Sequence, residues 1–258
     1  MIIAVGVTIA AAACASRVSA DPVTAAPPTT TAPDVPWPGT GALFDSTGAD
    51  AQDPGSPTGL GAHFCSGSVV DTAPGDVVVT AAHCVADGDG SPPRTGMVFV
   101  PGYHDGVEPF GAWTVTSAVV DPSWQDGADP AHDVAFLTVS RADAGPVERL
   151  TGGYPLVVDP GPSNPVDAIG YPVFAEAPTV RSGTADRISP TQLELDAAGL
   201  YDGTSGGPWL RNGNQIIGVT GGYEQGGLTP DVSYASYFDD VVIGLLREAT
   251  KQSAAVAS

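Results

Sequence analysis

Positive charge is scarce in this chain: 9 Lys+Arg stand against 29 Asp+Glu in 258 residues, a formal net charge of −20. The acidic residues are spread along the sequence rather than gathered in a block. Such a surface repels nucleic acid and anionic membranes, so neither is expected as a partner. Histidine is rare, with 4 residues, and cysteine rarer, with 3. His63, His104 and His132 have no His, Cys or Asp at the spacing of a metal site, so a structural or solvated role is expected for them and no metal. A helix that crosses a bilayer needs about 20 apolar residues, and no run after the first twenty positions is long enough. Internal repeats are missing as well.

The first twenty residues, MIIAVGVTIAAAACASRVSA, hold an apolar stretch and then Val18-Ser19-Ala20, a small-x-small pattern. They read as a secretory signal peptide, residues 1–20, and place the mature protein outside the cell. No Lys or Arg precedes Arg17, which leaves the usual positive start of such a signal missing. Cys14 in AAAC offers an alternative use as a lipid-attachment residue, although Ala11 stands where such signals carry a larger aliphatic side chain. Residues 21–41 contain six prolines among threonines and little apolar surface, so they are expected to be a linker or N-terminal arm. With no further break in composition, one domain is expected over 42–250, followed by a tail, 251–258. A monomer is expected.

Within that domain the local signals are short and of strand type. SGSVVD (66–71), DVVVTAA (76–82), MVFVPG (97–102), WTVTSAVV (113–120), DVAFLTV (133–139) and NQIIGVTG (214–221) are rich in Val, Ile and Phe and are punctuated by Gly, Pro and Asp. Many short strands with tight turns imply an all-β barrel or sandwich. The exception is 238–252, where Val241, Val242, Leu245, Leu246 and Ala249 fall at helical spacing, Asp239 or Asp240 can cap the start, and Arg247 and Lys251 suit the C-terminal end.

Three stretches carry chemistry together. VVVTAAHCV (77–85) ends in His83, HDVAFLTV (132–139) places Asp133 before a strand, and YDGTSGGPWL (201–210) holds Ser205 among glycines. A serine hydroxyl is a poor nucleophile unless a base lies in hydrogen-bond reach and a third group orients that base. His83, Asp133 and Ser205 supply those parts. Gly203 frees the chain to aim its own N–H and that of Ser205 at one point, where a developing oxyanion would sit. Once the leader is removed, Cys65 and Cys84 remain, an even number suited to an oxidising compartment.

These motifs, in the order His, Asp, Ser on a β-rich chain, resemble the chymotrypsin-like (trypsin-fold) serine proteases, and among them secreted bacterial trypsin-like peptidases bordering on the glutamyl endopeptidases. The resemblance runs from GALF at 41–44 to the terminal helix. It implies two six-stranded antiparallel β-barrels with a C-terminal helix, and a serine endopeptidase without cofactor. Its substrates would be polypeptides, and a protein protease inhibitor would be a fitting further partner. It also implies a Cys65–Cys84 disulfide, because HFCSGSVV matches the strand whose cysteine bonds the one after the catalytic histidine.

The departures matter too. Thr204 stands where digestive members carry the Asp that pairs with a newly cut N-terminus, and no Ile-Val-Gly-Gly activation site is present. Activity without such an ion pair is expected. Gly199 occupies the position of trypsin's specificity Asp. Thr220, Gly221 and Gly222 in GVTGGY are expected to wall the primary pocket. Asp231 could restore a preference for basic side chains, and Thr220 could instead help bind an acidic one. A protease fold that lost turnover and only binds is the rival function. A serine esterase, with its acid between serine and histidine, has the wrong chain order.

Overall fold

In the computed structural model, residues 1–3, 34–46, 60–142, 144–229 and 231–256 are described. Met1–Ala32 and Pro33–Ser258 are separate compact units. Of the first, Met1–Ile3 are exposed and without regular structure; the expected leader and most of the Pro/Thr arm lie outside the described residues.

Alternation organises the first half of the second unit. Strands β1 (Thr40–Asp45), β2 (His63–Val69), β3 (Val77–Thr80), β4 (Met97–Pro101), β5 (Trp113–Val120) and β6 (Ala135–Ser140) close into an antiparallel barrel in the order β1-β2-β3-β6-β5-β4. Successive side chains on a strand point to opposite faces. Val78, Leu137 and Val139 accordingly join one buried cluster with Leu43, Phe99 and Trp113, while Val77, Val79 and Phe136 join another with residues from the C-terminal helix. Both faces of β3 and β6 are buried, which is why the sequence shows unbroken apolar runs there rather than a polar alternation.

Two short helices, α1 (Pro122–Gly127) and α2 (Glu148–Thr151), decorate this half. The second half contains β7 (Ser163–Gly170), β8 (Thr179–Arg187), β9 (Gln192–Asp196), β10 (Pro208–Arg211), β11 (Gln215–Val219) and β12 (Val232–Ser236), antiparallel in the order β11-β10-β7-β8-β9-β12. An antiparallel bridge between Thr220 and Ala235 joins the two ends of that sheet. Its core is Trp209 with Leu193, Leu195, Ile217 and Ala235. Five of these six strands carry no obvious apolar run. β8 is largely solvent-facing. Pro165 sits in β7 beyond the reach of β10, whose pairing runs only from Ala168 to Val166, so its missing N–H costs no ladder bond on that side.

Helix α3 (Asp240–Val256) ends the chain. The Asp239 carboxylate accepts from the N–H of Val241 at 2.9 Å, so the cap is Asp239. Val242 and Ala249 are buried, with Leu245 and Leu246 half-buried beside them, against Val119 and Phe136 of the first barrel. Two expectations change. Val241 is exposed rather than on the buried stripe, because the cap at Asp239 turns Val242 inward. The helix also continues four residues past 252, with Ser253 buried, so Arg247 and Lys251 lie in its body and not at its end.

Candidate active site

A carboxylate removed from water needs compensation, and Asp133 has it three times over. It is fully buried, at the end of a 3-10 turn that leads into β6. One oxygen accepts from the backbone N–H of His83 at 2.8 Å. The other accepts from Nδ1 of the His83 ring at 2.7 Å and from the backbone N–H of Gly222 at 2.8 Å. A bare buried carboxylate would be costly, and this one is satisfied by donors from both halves of the domain. Because Nδ1 donates to Asp133, Nε2 is the nitrogen left to accept a proton. His83 itself rides on the 3-10 turn Ala82–Cys84 that follows β3, with 12% of its side chain exposed.

Ser205 stands in the turn before β10. Its carbonyl accepts from the N–H of Ser66 at 2.7 Å, which ties the turn to β2 of the first barrel. Around it the backbone N–H groups of Thr204, Gly206 and Gly207 donate to Tyr201, Thr220 and Thr204 carbonyls. Those of Gly203 and Ser205 have no acceptor among the described residues. Buried N–H groups are rarely left unpaired, and two in one turn offer donors that an anion could accept from. Gly203 is required for it: φ is +93°, and a Cβ there would lie 2.5 Å from the Tyr171 carbonyl oxygen. The Ser205 hydroxyl makes no hydrogen bond to His83 or any other described residue. Free enzymes often show this bond long, and it tightens when substrate arrives.

Cys65 and Cys84 form a disulfide with Cα atoms 6.2 Å apart, next to His83 on one side and Ser66 on the other. Sulfurs bonded to each other offer no thiolate, so their proximity to the His83 ring is a brace rather than a ligand set. Ser66 completes the stitching: its hydroxyl donates to the Gly203 carbonyl at 2.9 Å and accepts from the N–H of Tyr171 at 2.8 Å. Sequence reading passed over Ser66, and the only trace it left was adjacency to Cys65.

A family model described as a trypsin-like peptidase domain matches residues 65–219. The chain belongs to the trypsin-like peptidase family. No curated protein matches it by sequence. Among solved structures it is similar to a thermostable serine protease, AL20, from an extremophilic microorganism, with 26% identity, a TM-score of 0.70, and coverage of 83% of this chain and 98% of that one. It is also similar to the protease Anisep from Arthrobacter nicotinovorans, with 23% identity, a TM-score of 0.69, and coverage of 84% and 98%. A Glu endopeptidase is similar at 16% identity with a TM-score of 0.65, covering 84% and 92%. The last two likenesses speak to fold, which is chymotrypsin-like, with two six-stranded sheets and a C-terminal helix.

In this trypsin-like peptidase domain a cavity of about 360 Å³ opens beside Ser205. Thr204 and Thr220 line it, as expected for Thr220. Gly221 and Gly222 do not. They sit behind Asp133, Gly222 as its hydrogen-bond donor and Gly221 so close that a Cβ would lie 2.9 Å from its carboxylate. Gly199 is also outside the lining; its φ is +106° and the Arg181 guanidinium packs on it, with Nε donating to the Ala198 carbonyl at 2.6 Å. Asp231 is exposed and outside the lining too. The wall is built instead by Leu200–Asp202, by Gln225–Thr229, and by Val173 and Phe174. The loop residues left one sequence signal, the exposed aromatic of YPVFAEAP at 171–178.

Thr204, in the place of the digestive Asp, is buried, and its hydroxyl donates to the Tyr201 carbonyl at 2.7 Å. His63, for which a structural or solvated role is expected from the sequence, is buried among Phe44, Tyr103 and Tyr171. Its Nε2 pairs with the Ala175 carbonyl at 3.0 Å. Burial pushes its pKa below the ordinary value, opposed by that hydrogen bond and by the nearby Glu176 charge.

Proposed function

We propose that this chain is a serine endopeptidase that hydrolyses peptide bonds through an acyl-enzyme on Ser205. His83 takes the hydroxyl proton at Nε2 as the oxygen attacks the scissile carbonyl, and returns it to the leaving amine. Asp133 holds the imidazole in that tautomer and stabilises the imidazolium. The N–H groups of Gly203 and Ser205 receive the oxyanion; water then enters, His83 removes its proton, and the acyl group leaves Ser205. The observation that carries this reading is the Asp133 carboxylate, fully buried and shared between the His83 main chain, its Nδ1 and Gly222. A structural role would not require a histidine with its second nitrogen free.

The buried Thr204, hydrogen-bonded at home, supports activity without an N-terminal ion pair. The Cys65–Cys84 disulfide supports export to an oxidising compartment, with the leader ending at Ala20 and the catalytic domain following the Pro/Thr arm. The test is fluorophosphonate labelling of protein expressed from residue 21. Labelling at Ser205 that disappears in Ser205→Ala and His83→Ala is the expected result. A folded wild type that stays unlabelled, with or without trimming of the arm, would turn the reading toward a protease fold that only binds.

A further inference from the structure

Large apolar side chains in water are ordinarily scattered over a protein surface. Here four of them converge. Val173, Phe174, Tyr201 and Leu228 are exposed by 47%, 71%, 45% and 79%, and all four line the cavity that contains Ser205. Phe174 and Tyr201 pack edge to face with ring centroids 5.4 Å apart, so the rim is a built aromatic pair and not two stray side chains. A rim of this kind gains from covering, which is the mark of a binding surface.

The interior of the cavity agrees with its rim. Leu200 is buried in the wall. The Thr220 hydroxyl accepts from Trp209 Nε1 at 3.0 Å, pointing its oxygen into the core, and its methyl faces Gly226, where a Cβ would lie 3.1 Å away. Thr220 thus offers carbon to an occupant. The Thr204 hydroxyl is already engaged with the Tyr201 carbonyl. Gly226 packs against that methyl, and a Cβ on Gly227 would meet the Val232 carbonyl oxygen at 2.5 Å, so this side of the wall is bare, uncharged backbone at φ +107° and +121°. Among the described lining residues the one group charged at neutral pH is Asp202, and it is solvent-exposed. A carboxylate entering this cavity meets no cation in its wall, and burying it unpaired is unfavourable. An ammonium can reach only a carboxylate screened by water, where pairing is weak.

We propose that this cavity takes a large apolar side chain, phenylalanine, tyrosine or leucine, on the substrate residue whose carbonyl Ser205 attacks. The choice of residue rests on Ser205 as the nucleophile; the choice of side chain rests on the cavity alone. The two are separated by titrating the Ser205→Ala chain, which cannot turn over, with peptides identical except for one central residue, Phe, Leu, Ala, Glu or Lys. Phe and Leu peptides binding at least tenfold tighter than Ala, Glu and Lys peptides is the expected result. Tightest binding of the Glu or Lys peptide, or equal binding of all five, would overturn the proposal.

Phe174→Asp and Leu228→Asp, both on solvent-exposed positions, are each expected to weaken the Phe peptide at least fivefold in that background and to leave the Ala peptide unchanged. Unchanged affinity for the Phe peptide in both would equally overturn it. Wild-type protein that binds the Phe peptide with this preference and does not cleave it would keep the apolar cavity and remove the nucleophile. Cleavage after Phe or Leu, located by mass spectrometry, supports both.

Discussion

The barrel of β1–β6 is closed by ladder hydrogen bonds all the way round, whereas β7–β12 meet end to end through the single bridge of Thr220 with Ala235. The closed half carries the His83–Asp133 pair and the disulfide; the other half carries the Ser205 turn, the Gly203 and Ser205 N–H groups that have no acceptor among the described residues, and the cavity. The two halves are packed differently. The His83–Asp133 pair is held at a fixed separation beside β3 and β6, whose faces are both packed. The cavity is walled by loops and glycines in the half whose strand β8 faces water.

The largest effect is expected from Asp133→Asn. The exchange leaves the cavity intact but removes the acceptor that fixes the His83 tautomer. A fall of about 10⁴ in kcat is expected, a figure borrowed from the same exchange in other enzymes of this fold. Steady-state kinetics on a peptide substrate checks it, and a KM that changes as much as kcat would contradict the division of labour. Gly203→Ala strikes the other half: it adds a Cβ 2.5 Å from the Tyr171 carbonyl oxygen at a positive φ. Loss of about 10²–10³ in kcat is expected. Gly213→Ala is the control, since its φ is also positive but its surroundings are open; it should leave kcat alone.

Stability sharpens the contrast further. Replacing Cys65 and Cys84 together by alanine opens a loop with a sequence separation of 19. That should lower the unfolding free energy by about 3 kcal/mol in denaturant titration, with activity falling as His83 loses its brace. A drop in activity with no change in stability would mean that the disulfide serves only to position His83.

His63 provides a pH handle where the two halves touch, since its ring meets Phe44 of β1 and Tyr171 just after β7. Its Nε2–H donates to the Ala175 carbonyl, and buried Nδ1 has no partner, which suits the neutral ring. The folded pKa is lowered, chiefly by burial, so the unfolded chain binds the proton first. The stabilisation is therefore complete above the ordinary value of 6.5 and declines as pH falls from there toward the lower folded value. Each unit of lowering is worth about 1.4 kcal/mol. Denaturant titrations between about pH 7 and pH 5 should show this slope, and His63→Phe should flatten it; an unaltered slope would assign the effect to other groups. The smallest expected change is Asp239→Ala at the start of α3, about 1 kcal/mol in the same titration, from loss of the cap on Val241.

Legibility followed burial. Strands β3, β4 and β6 could be seen in the sequence because both of their faces are packed, and the apolar runs of VVVT, MVFVP and AFLTV have no other use. β8, with TVRSGTADR, and β9, with QLELD, could not, because one face meets water and pairing with neighbours rather than composition makes them strands. The same split runs through the site. His83, Asp133 and Ser205 stand in short stretches whose residue types and order single them out. Ser66, Phe174 and Leu228 do not, since a serine in a strand and an apolar residue in a loop acquire meaning only from what lies across from them.

Local composition and backbone freedom are enough to set the acidic character, the order His83, Asp133, Ser205, the glycines around the serine, the cysteine pair and the terminal helix, and all of these are legible along the chain. The tertiary structure decided which donors hold Asp133, that Gly222 serves the acid and not the pocket wall, that Thr220 shows its methyl and hides its oxygen, and that four exposed apolar side chains share one cavity. These are matters of direction and distance between residues far apart in the chain. Local propensity carries no information about them; the packing of two sheets against each other does.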